Sequence, residues 1–544
     1  MKRLILSLFI LGALSAHAQT PFATRDSVSI NKINAMVLVH GDMWWNPAIA
    51  EAHCYFPAGT HKSISSAGAL WMSAYDAGSQ LHVAAQTYRQ AGNDYWPGPL
   101  DAADTLTWAT SQSWAKIWKV NRSDIQYFRS LTSVSPSTVP AAIWTWPAKG
   151  NVNAAGNGGA PLSITGDMAP FIDINGDGIY NPLLGDYPDV KGDQALWWVF
   201  SDNGPTHNES NGKPLGVEVH AMAYGYSRGT AIDNVIYYEY TVHNRSANNY
   251  TNFRIGQLAD MDLGGFEDDY MGIDTIRALA YVYNADATDG QYGTSLPVAG
   301  LLMLRAGTPA LMTGAGSFMY YNNDASGIGN PTAPAEYNNY LRATFRDGTH
   351  AVNDYSAPGT MAYGTTTGPA TNFVFHGDLS NAAQWSECQA SNVPGDRRMV
   401  FASRDMALAA GGTATMVMAM VTTDPGPNHT CGTMQSIDDL IRVADTARSI
   451  FDVPLPAAVS DVDATTVFAV YPSPARSRLY IAGAVATVTP ADVAISNVLG
   501  QSMDVHVVKD GGRYTADISA LPAGLYFVRI KSGAALTTIR FLKE

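Results

Sequence analysis

Between residues 195 and 430, short apolar runs recur along the chain, and polar or glycine-rich stretches separate them. Residues 235–242 (VIYYEYTV) alternate apolar and polar side chains, and residues 277–283, 301–304 and 414–422 read likewise. Successive side chains of a β-strand point to opposite faces, so this period of two predicts strands. The sequence therefore predicts a mainly β protein with a large β-sandwich-like body.

The composition favours the same fold class. Charged residues make up only 15% of the 544 residues, against about 25% in typical globular domains. Gly and aromatic residues are abundant instead, and aromatic side chains suit a pleated, half-buried surface. Few short helices are expected: an amphipathic one at residues 436–452, which we expect to pack on the body, and one at residues 123–131 capped by Ser123.

The charge balance excludes one class of partner. The chain has a formal net charge of −14 and no cluster of basic residues. A nucleic-acid-binding protein needs a basic surface to displace the counterions of phosphates. We therefore expect no nucleic-acid partner.

The N-terminus predicts export. Lys2 and Arg3 precede an apolar run that ends near Leu14, and Ala16 and Ala18 occupy the positions that a signal peptidase reads. Residues 1–18 are therefore predicted to be a signal peptide that is removed on the way through the periplasm. The run is shorter than the ~20 residues that a membrane span requires. No later segment qualifies as a span, so the mature chain is expected to have no transmembrane segment.

The last eighty or so residues contain a series of short strands. Apolar runs at residues 467–481, 493–501, 517–530 and 538–543 are separated by Pro, Gly or Asn. Asp510-Gly511-Gly512 is a hairpin signal. This spacing predicts a small Ig-like β-sandwich over residues 467–544.

The same segment resembles the type A C-terminal sorting domain of the type IX secretion system of Bacteroidota. The resemblance rests on YPSPA at residues 471–475, NVLGQ at 497–501, LPAGLY at 521–526 and FLK at 541–543. It implies that the type IX machinery carries the chain across the outer membrane, and that a surface sortase removes the domain by cutting in the linker at residues 454–466. The chain would end up secreted or anchored on the outer cell surface. The sorting-motif residues that the resemblance implies are Tyr471, Pro472, Pro474, Gly500, Gly524 and Tyr526.

The rest of the chain resembles a family of large secreted surface proteins of the same bacteria. The residues that carry this resemblance are 78–101, 115–125, 173–188, 259–275 and 395–403. The resemblance implies architecture and location but no particular activity. We divide the mature body into a mixed, β-rich region over residues 19–194 and a β-sandwich-like domain with a terminal helix over residues 195–453.

One loop has the spacing of a calcium site. In DINGDGI, Asp173, Asn175 and Asp177 occupy positions 1, 3 and 5 of a calcium loop, and Gly178 occupies the sharp turn at position 6. The carbonyl of Ile179 would be the next ligand. An EF-hand needs Glu at position 12, where this chain has Leu184, so Asp186 is predicted to complete the ligand shell. We expect structural calcium; the alternative is a loop of Asx turns without metal.

A second acidic group follows further along the chain. Asp260, Asp262, Asp268 and Asp269 form a candidate second cation site, with Glu267 and Asp274 nearby. The same carboxylates could instead form a solvated acidic loop or a glycosidase-like acid pair.

The three cysteines and the aromatic residues leave alternatives open. Cys388 and Cys431 are a candidate disulfide, and the alternative is three free buried thiols. Exposed aromatic rings would suit stacking on sugars, whereas core packing is the commoner role. The ten aromatic residues in question are Trp44, Trp45, Trp71, Tyr88, Tyr95, Trp96, Trp114, Trp118, Trp197 and Trp198.

Two functional hypotheses follow. The first is a non-enzymatic, calcium-stabilised surface or secreted protein that contacts a glycan, a matrix or another adhesive partner. It is favoured because GxSxG, HExxH, P-loop and dinucleotide-binding motifs are missing from the sequence. The second is a surface glycan-active hydrolase that uses the acidic residues between Asp260 and Asp274.

Overall fold

The computed structural model describes residues 23–89, 92–312, 314–353, 362–364, 368–379, 381, 384–426, 437–452, 468–472, 475–482, 489–497, 501–510, 513–532 and 535–544. The predicted signal peptide and the predicted linker at 454–466 lie outside these residues. Within them the chain is mainly β, as predicted, and every pairing between its strands is antiparallel.

The largest sheet has ten strands, and it includes all four apolar runs singled out in the sequence. Eight strands follow one another across this sheet, and two short strands pair beside them. In spatial order the eight are Asp269–Asp274, Leu279–Asn284, Ala299–Thr308, Thr413–Thr422, Val235–Asn244, Val217–Gly225, Gln194–Ser201 and Trp96–Pro97. Leu311–Met312 pairs with the third of them, and Trp118–Asn121 pairs with the seventh.

A second sheet has six strands and packs on one face of the first. In spatial order it contains Ala315–Asn322, Arg397–Ser403, Tyr250–Asp260, Ala67–Tyr75 and Leu81–Ala85, while Met406–Leu408 pairs with the third. Smaller sheets lie beside these two. Their strands are Arg25–Val28, Asn34–Leu38 and Cys54–Tyr55; Trp45–Asn46 and Glu51–Ala52; and Phe171–Ile172 and Tyr187–Pro188.

The ten-stranded sheet is buried on both faces, because its alternating side chains enter two different cores. On Gln194–Ser201, Leu196, Trp198 and Phe200 join the core shared with the six-stranded sheet. Ala195, Trp197 and Val199 point the other way, into a core shared with helices. Burying both sets of large side chains stabilises the sheet, at ~1.5–3 kcal/mol for each one fully buried.

Helices cover the outer face of the ten-stranded sheet, except that Pro334–Tyr340 packs on the strands Ala67–Tyr75 and Leu81–Ala85 of the other large sheet. The α-helices are Trp108–Trp114, Arg122–Ser130, Ala141–Trp144, Pro334–Tyr340 and Asp438–Asp452. The last confirms the predicted amphipathic helix: Leu440, Ala444 and Ala447 are buried on the sheet, and the Tyr237 hydroxyl donates to the Ala447 carbonyl at 2.7 Å. The second begins at Arg122, so the predicted cap at Ser123 is wrong and Asn121 is the N-cap. The Asn121 backbone N–H donates to Asp124 at 3.1 Å.

Strands from both sides of the predicted boundary at residue 194 share these sheets and cores. Ala67–Tyr75 pairs with Tyr250–Asp260, and Trp118–Asn121 pairs with Gln194–Ser201. Residues from Val28 to Met420 contribute to the core between the two large sheets. The two predicted regions therefore fold around common cores.

The C-terminal residues form two four-stranded sheets around a core of their own, as expected for a small β-sandwich. One sheet contains Ala469–Tyr471, Arg478–Ala482, Arg513–Asp517 and Val507–Asp510, and the other contains Ser502–Met503, Val493–Asn497, Gly524–Ser532 and Ala535–Lys543. Leu479, Ile481, Val528, Ile530 and Phe541 fill the space between them.

The sorting-motif residues that the structure describes lie in this sandwich. Tyr471 ends a strand and precedes Pro472. Gly524 begins another strand, in which Tyr526 stacks on Phe541 with ring centroids 5.6 Å apart. Pro474 and Gly500 lie outside the described residues.

The structure also bears on the predicted disulfide and on the search for membrane-spanning helices. Cys388 is disulfide-bonded and Cys54 is a free, buried thiol. Because Cys431 lies outside the described residues, the pairing of Cys388 with Cys431 stays a prediction. Of the helices that the structure describes, none is long and apolar enough to cross a membrane.

Candidate functional site

The loop with calcium-type spacing is exposed, and its side chains bond to its own backbone. Asp173 accepts the backbone N–H groups of Gly176 and Gly178, each at 2.7 Å. Asp177 accepts from the Ile179 N–H at 2.8 Å and from the Asn175 side-chain amide at 2.7 Å. These bonds give the loop the form of successive Asx turns.

Asp186 closes the base of this loop. It is fully buried, and its two oxygens accept from the Ile174 and Asn181 N–H groups, each at 2.8 Å. The predicted ligands Asp173, Asn175, Asp177, Ile179 and Asp186 therefore belong to one compact turn. Calcium at this loop stays a prediction.

Three carboxylates meet elsewhere, at one end of the six-stranded sheet. Asp260 is the last residue of Tyr250–Asp260, Asp262 follows two residues later, and Asp396 immediately precedes the neighbouring strand Arg397–Ser403. The strands are antiparallel, so the end of one lies beside the start of the other, and Asp260 pairs with Arg398. One oxygen from each carboxylate lies within 4.8 Å of the other two. We call Asp260, Asp262 and Asp396 the acidic triad.

Hydrogen bonds fix one oxygen of Asp260 and leave the other without a partner. Its Oδ2 accepts from the Tyr88 hydroxyl at 2.6 Å and from Arg398 Nε at 2.9 Å. Its Oδ1 is buried and accepts no hydrogen bond, and the same holds for Oδ1 of Asp396. Buried oxygens without a donor are uncommon and costly, so these two are candidates for cation ligands.

The charges of the triad are only partly offset. Burial, and then the neighbouring Asp260 charge, raises the pKa of Asp262 well above its usual range. Burial also raises the pKa of Asp260, although the Arg398 guanidinium opposes the shift. A proton or a divalent cation would each offset the buried negative charge of these two aspartates.

The structure separates the four residues of the predicted second cation site. Asp260 and Asp262 belong to the triad with Asp396, whereas Asp268 and Asp269 lie at the hairpin of Asp269–Asp274 and Leu279–Asn284. Sequence reasoning missed Asp396, because it lies far along the chain. The two arginines that follow Asp396 pair with buried carboxylates: Arg397 with Glu387, and Arg398 with Asp260.

A cavity of about 310 Å³, lined by both polar and apolar groups, adjoins the triad through Asp396. Asn322, Asn323, Asp324 and Asn392 contribute amide and carboxylate groups to its wall. Asn323 donates to Asp396 at 2.8 Å, and Oδ1 of Asn322 is buried without a hydrogen bond. Such a wall offers donors and acceptors for a small, hydroxyl-rich ligand.

The aromatic residues singled out in the sequence serve mainly as core. Eight of the ten are buried, and only Trp45 and Tyr88 are partly exposed. The rings of these two lie edge to face, 5.0 Å apart, and Arg398 lies over the Tyr88 ring at 5.3 Å. An extended aromatic surface for sugars is therefore not built from these residues.

Comparison with known families identifies the C-terminal part of the chain. Residues 469–544 match the family model described as the secretion system C-terminal sorting domain. The chain thus carries a type IX secretion sorting domain, which directs its export to the outer surface or the medium and implies interaction with that secretion machinery.

The remaining comparisons concern the body. No curated protein matches the chain. A polysaccharide lyase of known structure aligns with 60% of this chain and 34% of its own length, at 8% identity and a TM-score of 0.19. That score is too low to transfer a fold or an activity.

Proposed function

We propose that this chain is a calcium-stabilised, non-enzymatic surface or secreted protein that binds a glycan through the cavity beside the acidic triad. The observation that carries the proposal is the position of Asp396. It belongs both to the triad, where a cation would bind, and to the wall of the adjoining cavity, where a ligand would bind.

Calcium suits the triad because it prefers about six to eight hard oxygen ligands and tolerates irregular geometry. Three carboxylates supply part of such a shell, and water or the hydroxyls of a bound sugar would complete it. A cation there would also fix Asp396 and, through it, Asn323, which donates to that carboxylate. Glycan binding would then depend on calcium.

Two features favour binding over hydrolysis. One carboxylate of the triad already forms an ion pair, because Asp260 accepts hydrogen bonds from both Arg398 and Tyr88. Such a group is a poor proton donor or nucleophile while these bonds persist. The convergence of three carboxylates, rather than two facing each other across an open cleft, resembles a cation site more than an acid pair.

Calcium is expected to raise the melting temperature of the full mature chain, and a chelator is expected to lower it. A site filled at a hundred times its Kd contributes about 2.7 kcal/mol to folding.

The structural calcium predicted at DINGDGI is tested by Asp177→Asn, which should remove part of the calcium-dependent shift in melting temperature. Asp167→Asn, an exposed change nearby, should not. An identical melting curve with calcium and with chelator would contradict the calcium part of the proposal.

Glycan binding is tested by a glycan and matrix array probed with the full mature chain, with and without calcium. Asp396→Asn should weaken binding at least tenfold, because it removes a negative charge from the cation site and replaces an acceptor in the cavity wall by an amide donor. Glu267→Gln, which removes an exposed charge outside both, should bind as the natural chain does. Release of new reducing ends from a bound polysaccharide, lost in Asp260→Asn, would instead support a glycan hydrolase.

A further inference from the structure

The hairpin at the edge of the ten-stranded sheet brings three oxygen-bearing side chains to one end. Asp269 begins the edge strand and pairs with Asn284, the last residue of the next strand. Asp268 immediately precedes Asp269, and the Asn284 amide donates to Asp268 Oδ2 at 2.9 Å. The three side chains therefore lie together although Asn284 is 16 residues from Asp268.

Each of these side chains keeps one buried oxygen that accepts no hydrogen bond. These atoms are Oδ1 of Asp268, Asp269 and Asn284. Asp269 is 2% exposed and Asn284 is fully buried. The other polar atom of each side chain forms a hydrogen bond that fixes how the side chain is turned. The Leu263 N–H donates to Asp269 Oδ2 at 3.0 Å, and the Asn284 amide nitrogen donates to Asp268 Oδ2. A buried acceptor without a donor is costly, and here three of them belong to residues that lie side by side.

The surroundings add negative charge. The carboxylates of Asp262, Asp268 and Asp289 all act on Asp269. A Cβ placed on Gly265 would lie 3.0 Å from an Asp289 oxygen and 3.5 Å from Asp268 Oδ1, so Asp289 faces the same space. The acidic triad differs, since Arg398 offsets part of its charge.

We propose that Asp268, Asp269 and the Asn284 carbonyl oxygen form a divalent-cation site, with calcium as the preferred ion. Carboxylate and side-chain amide oxygens are the hard ligands that calcium takes, and the ion would supply the missing partner of all three orphaned atoms. The ion would tie the segment from Leu263 to Asp268 to the edge hairpin. This site shares no ligand with the triad, although Asp262 acts on Asp269. It does not depend on glycan binding.

The test is a calorimetric calcium titration of the full mature chain, with calcium alone as the probe. Asp269→Asn is expected to bind one calcium fewer than the natural chain, and Asp268→Asn is expected to lose the same event or weaken it at least tenfold. Glu267→Gln removes an exposed charge from the same segment and should keep the full number. If Asp269→Asn does not fold, the calcium titration of Asp268→Asn tests the site, because Asp268 is partly exposed.

An unchanged number and affinity of calcium ions in the aspartate variants would overturn this site. Two variants distinguish failure of this cation site from failure of the proposed glycan binding. Asp269→Asn should bind glycans as the natural chain does, whereas Asp396→Asn should lose glycan binding and keep the hairpin calcium.

Discussion

Deleting residues 468–544 is expected to keep the chain from reaching the outer surface or the medium of a host with a type IX secretion system, and to accumulate it in the periplasm. The deleted segment contains the whole sorting domain and its separate core. Among the residues that the structure describes, the two cores of the body contain none beyond Phe451. The body should therefore keep its fold and lose only its export. Immunoblots of periplasm, membrane and medium measure the distribution.

A point substitution separates loss of the domain from loss of its fold. Val528→Asp places a charge in the fully buried centre of the sandwich and should reduce surface delivery as strongly as the deletion does. Lys531→Gln, an exposed change on the same strand, should leave delivery intact. Equal amounts of the truncated and natural chains on the surface would show that these residues do not direct export.

Arg398→Met is expected to destabilise the body by about 3–5 kcal/mol in the presence of chelator, because it leaves the buried Asp260 carboxylate without its counter-charge. The two side chains are 12% and 2% exposed and lie 2.9 Å apart. Denaturant unfolding measures the change. Arg404→Met, at an exposed arginine close by, should change stability by no more than ~0.5 kcal/mol.

Two further measurements identify the cause. Combining Asp260→Asn with Arg398→Met should recover part of the loss, because the double variant no longer buries an unpaired charge. Arg398→Met alone should bind calcium more tightly, since the cation then meets a triad with no competing guanidinium. A loss below ~1 kcal/mol, with unchanged calcium affinity, would show that this pair is effectively solvated.

Local patterns allowed much of the fold to be predicted. The alternation at residues 235–242 belongs to the strand Val235–Asn244, and the helical spacing after residue 436 belongs to the helix Asp438–Asp452. Both patterns are contained in short windows, because the periods of strands and helices are local properties of the backbone. The sorting domain was identifiable for a similar reason, since its motifs follow one another within a single segment.

Other properties needed the tertiary structure. Alternation indicates that a strand has two faces, but it does not reveal that both faces of Gln194–Ser201 are buried in different cores. Nor does the abundance of Trp distinguish a sugar-binding surface from a core. Packing of the second sheet and of the helices decided that most of these rings lie inside.

The sequence by itself determined the class of fold, the sorting domain and a turn with calcium-type spacing. The tertiary structure alone decided which acidic residues meet: it joined Asp260 to Arg398, which is 138 residues away, and brought Asp396 with it. It also placed Asp268 and Asp269 beside Asn284 at the edge hairpin, outside the triad. The physical reason is that strand pairing is selected by burial of whole sheet faces, so contacts between distant residues depend on many side chains at once.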